Sequence, residues 1–183
     1  MKMLVNNQGK ALVVNGNALV VDDSNIIYQL YNYTCDGTEA TAINTGIQLC
    51  NGDYSTFLVE FDFTINAMTP QNACFFRCRH ETKYSNSWPG FGLRAPNDTN
   101  VDLQINNQTK KVSADIGTRC IGTVTLSDGV VVVDCNGNSV SSNLVTHSSP
   151  FVIGGELSNS ANGTWNGSRF SNITIHSLII TSK

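Results

Sequence analysis

The sequence predicts an all-β protein, folded as a two-sheet antiparallel β-sandwich of the jelly-roll type with a short N-terminal β segment. The clearest observation is STFLVEFDFTI (55–65), in which alternate residues from Phe57 to Ile65 are apolar and fall on one face of a strand. No segment has the sustained 3.6-residue period of an amphipathic helix. Asp-Gly and Asn-Gly pairs follow several apolar runs, and they supply the positive φ that tight hairpin turns require.

Further strand-like runs follow at short spacing, and many short strands separated by turns favour a sandwich. They are TAINTGIQL, ACFFRCRH, VDLQINN, CIGTVTLSDGVVVVDCNGNSV, FVIGG and NITIHSLIIT. In ACFFRCRH, a period of two places Cys74, Phe76 and Cys78 on one side of the strand. The same period places Phe75 on the other side, with Arg77 and Arg79.

The sequence divides into a short N-terminal segment that contains a repeat and a longer domain without one. Residues 1–23 contain the near-repeat GKALVV and GNALVV with Asn-Gly between them, which predicts a β-hairpin or an attachment segment. Residues 24–183 are expected to form the jelly-roll domain, with the junction at DDSN (22–25).

Composition argues against several partners. The net charge of −3 and pI near 5.5 give no electrostatic reason to expect nucleic acid. No apolar run approaches the length of a membrane-spanning helix, which is about 20 residues.

Polar residues interrupt the apolar start of the chain, so we expect no signal peptide and expect synthesis in a cytoplasm. A virion protein released by lysis, and then found on the virion surface, fits that expectation.

Six cysteines could form three disulfides, but we expect most to be reduced and buried. Cys74, Cys78 and His80 are candidate zinc ligands, but the geometry of a strand argues against a site there. On an extended strand these residues share a face, yet Cys74 and His80 would lie about 20 Å apart.

The order of the strand motifs resembles that of concanavalin A-like and laminin-G-like domains. CDGTEATAINTGIQL is similar to the opening of these domains, and STFLVEFDFTI to their second long strand. GTVTLSDGVVVVDCNGNSV is similar to their hairpin, and PFVIGGELSNSANGTWNGSRFSNITIHSLIITS to their terminal pattern. The resemblance spans roughly residues 33–182 and implies the jelly-roll sandwich, with Trp165 as a packing aromatic. This fold hosts lectins, hydrolases, lyases and adhesion modules. More loosely, the N-terminal segment resembles bacteriophage structural proteins.

Two acids, Glu60 and Asp62, test the enzyme hypothesis. Glycoside hydrolases of this family carry a Glu-x-Asp-x-(x)-Glu pattern on one strand face, but here Thr64 or Ile65 holds the place of the second Glu. Neither side chain can replace a catalytic carboxyl group. We therefore expect the two acids to face water and predict no catalytic residues.

The segment RCRHETKYSNSWPGFGLRAPND supplies the aromatic and polar groups that sugar binding requires. The candidate ligand-binding residues are Arg77, Arg79, Tyr84, Asn86, Trp88, Phe91 and Arg94. Arg77 and Arg79 could instead be solvated charges on a strand, and Trp88 could instead pack over an open end of the sandwich.

The family resemblance also admits a structural calcium ion, although no other cofactor is expected. The candidate ligands are Asp36, Asp134, Asn159 and Asn162. These oxygen donors suit a hard cation, but no acidic cluster with ligand spacing accompanies them.

Together these features favour a non-catalytic carbohydrate-binding or adhesion module on a virion, such as a phage fibre or decoration protein, that recognises a cell-surface glycan. Residues 1–23 would bind other virion proteins, and copies of the chain could form a homo-oligomer. One alternative is a purely structural assembly subunit. Another is a jelly-roll hydrolase or lyase, for example a lyase using Tyr54 or Tyr84 with His80 and Arg79.

Overall fold

A computed structural model of the chain describes residues 25–68, 70–80, 89–159 and 163–182, with four two-residue strands before them. The strands are β1 (Lys2–Met3), β2 (Val13–Val14), β3 (Asn17–Ala18), β4 (Val20–Val21), β5 (Ile26–Asp36), β6 (Ile43–Asn44), β7 (Phe57–Ala67), β8 (Ala73–Arg79), β9 (Gly90–Ala95), β10 (Asn100–Ile105), β11 (Gln108–Ser113), β12 (Arg119–Ser127), β13 (Val130–Cys135), β14 (Asn138–Asn143), β15 (Val152–Ile153), β16 (Leu157–Asn159), β17 (Thr164–Trp165) and β18 (Asn172–Ser182). A single 3₁₀ turn, Glu39–Thr41, is the one helical element in the described part, where no helix has the length and apolar character to cross a membrane.

Two six-stranded antiparallel sheets form the domain, which confirms the predicted sandwich. The front sheet has the order β11-β10-β9-β8-β15-β6, and the back sheet has the order β14-β13-β12-β7-β18-β5. The last strand, β18, lies between β7 and β5 of the back sheet. In the N-terminal segment β1 pairs with β4 and β2 pairs with β3. The attachment role of this segment stays a prediction.

Aromatic side chains from both sheets form the core. The alternate apolar residues predicted for β7, from Phe57 to Ile65, are all buried. The ring of Phe61 lies 5.0 Å from that of Phe76, and the ring of Phe63 lies 5.2 Å from that of Phe75. These contacts join β7 of the back sheet to β8 of the front sheet, so they set how the two sheets face each other.

The predicted hairpin turns are confirmed. Asp128 and Gly129 connect β12 to β13 with φ of 51° and 73°, and Asn136 and Gly137 connect β13 to β14 with φ of 50° and 74°. Paired positive φ values are those of the turn whose twist matches antiparallel strands.

One predicted face is wrong, at the start of β8. A register shift between Cys74 and Phe76 inserts a β-bulge, and Phe75 and Phe76 both pack into the core. Cys74 consequently lies on the outer side, with its Sγ 3.4 Å from Nη1 of Arg77. The bulge breaks the strict period of two that placed Cys74 with Cys78 and Phe75 with Arg77.

We expect Phe76→Ala to lower the free energy of unfolding by about 3–5 kcal/mol, because it removes a ring buried between the sheets and leaves a cavity. Urea denaturation of both proteins measures the change. Ile121→Ala is the control, since that side chain is 52% exposed and should change stability by less than about 1 kcal/mol. Similar losses in the two variants would contradict the assigned core.

Candidate functional site

A groove of about 530 Å³ crosses the outer face of the front sheet. Strands β8, β9 and β10 form its floor, and the segment around β16 and β17 forms a wall. The lining residues are Arg77, Arg79, Arg94, Gln104, Asn106, Asn107, Thr109, Glu156, Leu157, Ser158, Asn166 and Arg169.

The core determines which side chains enter this groove. Because Phe76 and Cys78 of β8 point inward, Arg77 and Arg79 between and after them point outward. Arg77 lies opposite Gly92 of β9, where an added Cβ would come within 3.0 Å of its Cγ. The glycine therefore leaves space for the arginine stem to lie across the sheet.

Glu156 holds two of the arginines. Its carboxylate accepts hydrogen bonds from Arg77 and from Arg169, and it is itself largely buried. Arg169 reaches this position because its backbone C=O accepts a hydrogen bond from the Cys74 N–H, at 3.0 Å, beside a parallel bridge between Cys74 and Phe170. Two segments far apart in sequence thus share one carboxylate.

The other two arginines are Arg94, on the neighbouring strand β9, and Arg79, the last residue of β8. Arg94 donates from Nε and Nη2 to one carboxylate oxygen of Asp102, at 3.2 and 3.1 Å. Arg79 donates to Oε1 of Gln104 at 3.2 Å. Asp102 and Gln104 are both buried, so these polar groups are positioned by β10 and not by solvent.

The groove carries excess positive charge. Burial, and to a lesser extent repulsion from Arg77, lowers the pKa of Arg79 to about 9, which still leaves the side chain charged at neutral pH. Among the described lining residues four are arginines and one is acidic, and Asp102 adds one further carboxylate beside Arg94. A chain with a net charge of −3 therefore presents a locally cationic site.

Sequence reasoning placed three groove residues in the site, Arg77, Arg79 and Arg94, and the structure brings them together. Phe91 requires a correction. Its side chain is buried because it occupies an inward position of β9. Its ring centroid lies 5.8 Å from that of Phe57. The predicted residues Tyr84, Asn86 and Trp88 lie in 81–88, outside the described residues.

Sequence reasoning missed Glu156, Arg169 and Gln104. Glu156 and Arg169 lie in the terminal motif, whose loop showed only a lone charge in ELSNSANG. A signal was available for Gln104, since it alternates with Leu103 and Ile105 in VDLQINN. Which side chains Gln104 would meet, however, depends on the order of the strands in the sheet.

The two acids of β7 lie on the other sheet. Glu60 is exposed on the outer face of the back sheet, as expected. Asp62 accepts hydrogen bonds from Arg119 at 2.7 and 2.6 Å, and this contact holds the pKa of the Asp62 carboxyl below its usual value. Neither acid lines the groove.

The calcium candidates do not form a described cluster. Oδ1 of Asp36 accepts hydrogen bonds from the hydroxyls of Thr38 and Thr41, and Asp134 lies in β13 of the back sheet. The side chain of Asn159, and Asn162, are outside the described residues.

In the described part of the chain, one group of three metal-ligating side chains has its ligand atoms within 4.8 Å of one another. This group is Cys50, Cys78 and His147, all buried. The zinc site considered from sequence at Cys74, Cys78 and His80 does not form, because the bulge in β8 places Cys74 on the outer face, away from Cys78. The described cysteines are all free and buried, as expected.

Comparison with solved structures shows the fold. Trypanosoma rangeli sialidase in complex with 2,3-difluoro-KDN aligns over 86% of this chain and 26% of its own, with TM-score 0.60 and 13% identity. Domains LG4-5 of the mouse laminin α1 chain align over 85% of this chain and 43% of their own, with TM-score 0.51 and 14% identity. The chain thus spans about a quarter to two fifths of these structures. No protein-family model matches the chain, and no curated protein matches it.

These likenesses confirm the concanavalin A-like, laminin-G-like jelly roll that the motif order predicted. At such low identity they show the fold alone. The chemistry of the groove must be argued from its own residues.

We expect Glu156→Gln to lower the free energy of unfolding by about 3 kcal/mol, because it leaves the buried Arg77 guanidinium without its counter-ion. Chemical denaturation measures this loss. Asp62→Asn breaks a pair whose arginine is 57% exposed, so it should change stability much less. If both variants lose the same stability, the buried pair does not hold the groove wall.

Proposed function

We propose that the groove of this jelly-roll domain binds an anionic carbohydrate without cleaving it. The observation that supports the proposal is the concentration of Arg77, Arg79, Arg94 and Arg169 in one groove of an acidic chain. Guanidinium groups bind carboxylates and sulfates through paired, charge-assisted hydrogen bonds. A sugar acid or sulfated sugar carries such a group.

The other lining residues suit the rest of a saccharide. Gln104, Asn106 and Asn107 supply amides, and Thr109 and Ser158 supply hydroxyls, which can bind sugar hydroxyls. The volume of about 530 Å³ is in the range of small-ligand sites. The groove is polar, which favours a hydrophilic ligand over an apolar one.

An anion would also stabilise the site itself. The lowered pKa of Arg79 means that burial and Arg77 make its charge less favourable in the folded protein than in water. A bound carboxylate would offset that repulsion. The same argument disfavours cationic ligands.

Binding without catalysis is favoured by the state of the carboxylates. Both carboxylate oxygens of Glu156 are hydrogen-bonded to arginines, and Asp102 is buried with one oxygen bonded to Arg94, so neither group is placed to act on a substrate. Turnover assays on polysaccharides test this part of the proposal. An activity that disappears in Glu60→Gln or Glu156→Gln would overturn it in favour of a hydrolase or lyase.

We expect Arg169→Ala to weaken binding of uronic-acid or sialic-acid oligosaccharides at least about tenfold, because one charge-assisted hydrogen bond contributes about 1.5–3 kcal/mol. Arg169 is the suitable position because Glu156 keeps Arg77 as a partner in the variant. Titration calorimetry, guided by a glycan array, measures the affinity.

The matched control is Arg119→Ala, which removes one arginine from the outer face of the back sheet. It should leave the affinity unchanged. Equal loss in both variants would indicate a general charge effect, and a blank array across acidic glycans would favour the alternative of a structural assembly subunit.

We expect Trp88→Ala to weaken the same binding, on the hypothesis that this aromatic residue stacks against a sugar ring. Trp88→Phe is the matched variant and should retain most of the affinity, since it keeps an aromatic face. Unchanged affinity in Trp88→Ala would assign recognition to the arginine groove alone.

We further propose that residues 1–23 attach the domain to a virion or similar assembly, which would present the groove to a cell-surface glycan. The looser resemblance of this segment to bacteriophage structural proteins supports the idea. Copurification of the full chain with particles would support it. Free, unassembled protein in a lysate that contains particles would contradict it.

A further inference from the structure

Three buried side chains meet between the sheets at a place distinct from the arginine groove. They are Cys50 from the connection between β6 and β7, Cys78 from β8, and His147 from the connection between β14 and β15. Cys50 Sγ lies 3.7 Å from Cys78 Sγ, and the ligand atoms of all three lie within 4.8 Å of one another. None of these residues lines the groove.

We propose that Cys50, Cys78 and His147 bind one Zn²⁺ ion. Zinc bonds to cysteine sulfur at about 2.3 Å in tetrahedral geometry, which places two sulfur ligands about 3.8 Å apart. The separation of 3.7 Å between the two sulfurs agrees with that value. It is much longer than the about 2.05 Å of a disulfide bond.

The backbone fixes His147 beside Cys50. The His147 backbone N–H donates to the C=O of Cys50 at 2.8 Å, which ties the two connections together. Its Nδ1 accepts a hydrogen bond from the Ser149 N–H at 3.2 Å, and zinc binding through either nitrogen of the neutral ring would break this bond.

A tetrahedral zinc ion needs a fourth ligand, and we assign that position to His80, whose side chain must turn toward the ion because its nitrogens lie outside the group of three. It follows Cys78 by two residues at the end of β8, and its ring lies 6.2 Å from that of His147. The donor set would then be two thiolates and two imidazoles, which is one of the usual structural zinc sets. The ion would join β8 to the two connections that carry Cys50 and His147.

Protons should leave the site when zinc binds. Zinc takes the thiolate form, so each bound ion displaces protons and the apparent affinity should rise with pH.

The chain contains its own control. Cys120 and Cys135 form a second hydrogen-bonded pair of buried thiols, in the back sheet. No third metal-ligating side chain joins them in the described part of the chain. Buried thiols alone, without the histidine, should not hold zinc.

The test uses the full chain, stripped with a chelator under reducing conditions and then dialysed against Zn²⁺. We expect about one zinc per chain by elemental analysis and a higher melting temperature with zinc. Cys50→Ser and His147→Gln should lose the bound zinc, whereas Cys120→Ser should retain it. Co²⁺ titration of the unmodified chain should show the near-ultraviolet absorption of thiolate–cobalt bonds, so the result does not depend on how the variants fold.

Three results would overturn the proposal. The first is folded, reduced protein that binds no zinc and shows no thiolate–cobalt absorption. The second is zinc that binds equally to Cys50→Ser, which would indicate an adventitious ion only. The third is loss of zinc from Cys120→Ser to the same extent as from Cys50→Ser. None of these results bears on carbohydrate binding in the groove, which the Arg169→Ala comparison tests separately.

Discussion

The packing of phenylalanine rings between β7 and β8 is the contact on which the rest of the molecule depends. Phe61 meets Phe76, and Phe63 meets Phe75, so the central strands of the two sheets face each other through aromatic side chains. Since strand side chains alternate, fixing Phe76 inward turns Arg77 and Arg79 outward. The groove is therefore a consequence of the core as much as of its own residues.

Excess charge on a sheet surface needs partners, and the fold supplies them only in part. Glu156 and Asp102 pair with three of the four arginines, and Gln104 accepts a hydrogen bond from Arg79. The resulting network is largely buried, yet four arginines against two carboxylates leave it cationic. This remaining positive charge is the reason that we propose the groove as the binding site of an anionic ligand.

The alternation in β7 and the Asp-Gly and Asn-Gly turns were enough to predict the sandwich, because both signals are local. Strand β5 escaped prediction, since IIYQLYNYTCD includes Asn32 at a φ of 51° and has few fully buried side chains. The bulge at Cys74 escaped too, because a strict period of two cannot reveal an extra residue. Phe91 was wrongly predicted to bind the ligand, because the sequence around an aromatic residue near arginines does not show whether its side chain is buried or exposed.

By itself the sequence determined the fold class, the hairpin turns and the local arginines of the binding segment, because these depend on neighbours within a few residues. Only the tertiary structure decided that Arg169 and Glu156 join Arg77, and that Cys50 and His147 meet Cys78. These partners lie 28 to 92 residues apart in sequence. They come together through the order of strands in two packed sheets, and that order results from burying the inner faces of both sheets at once and not from any single motif.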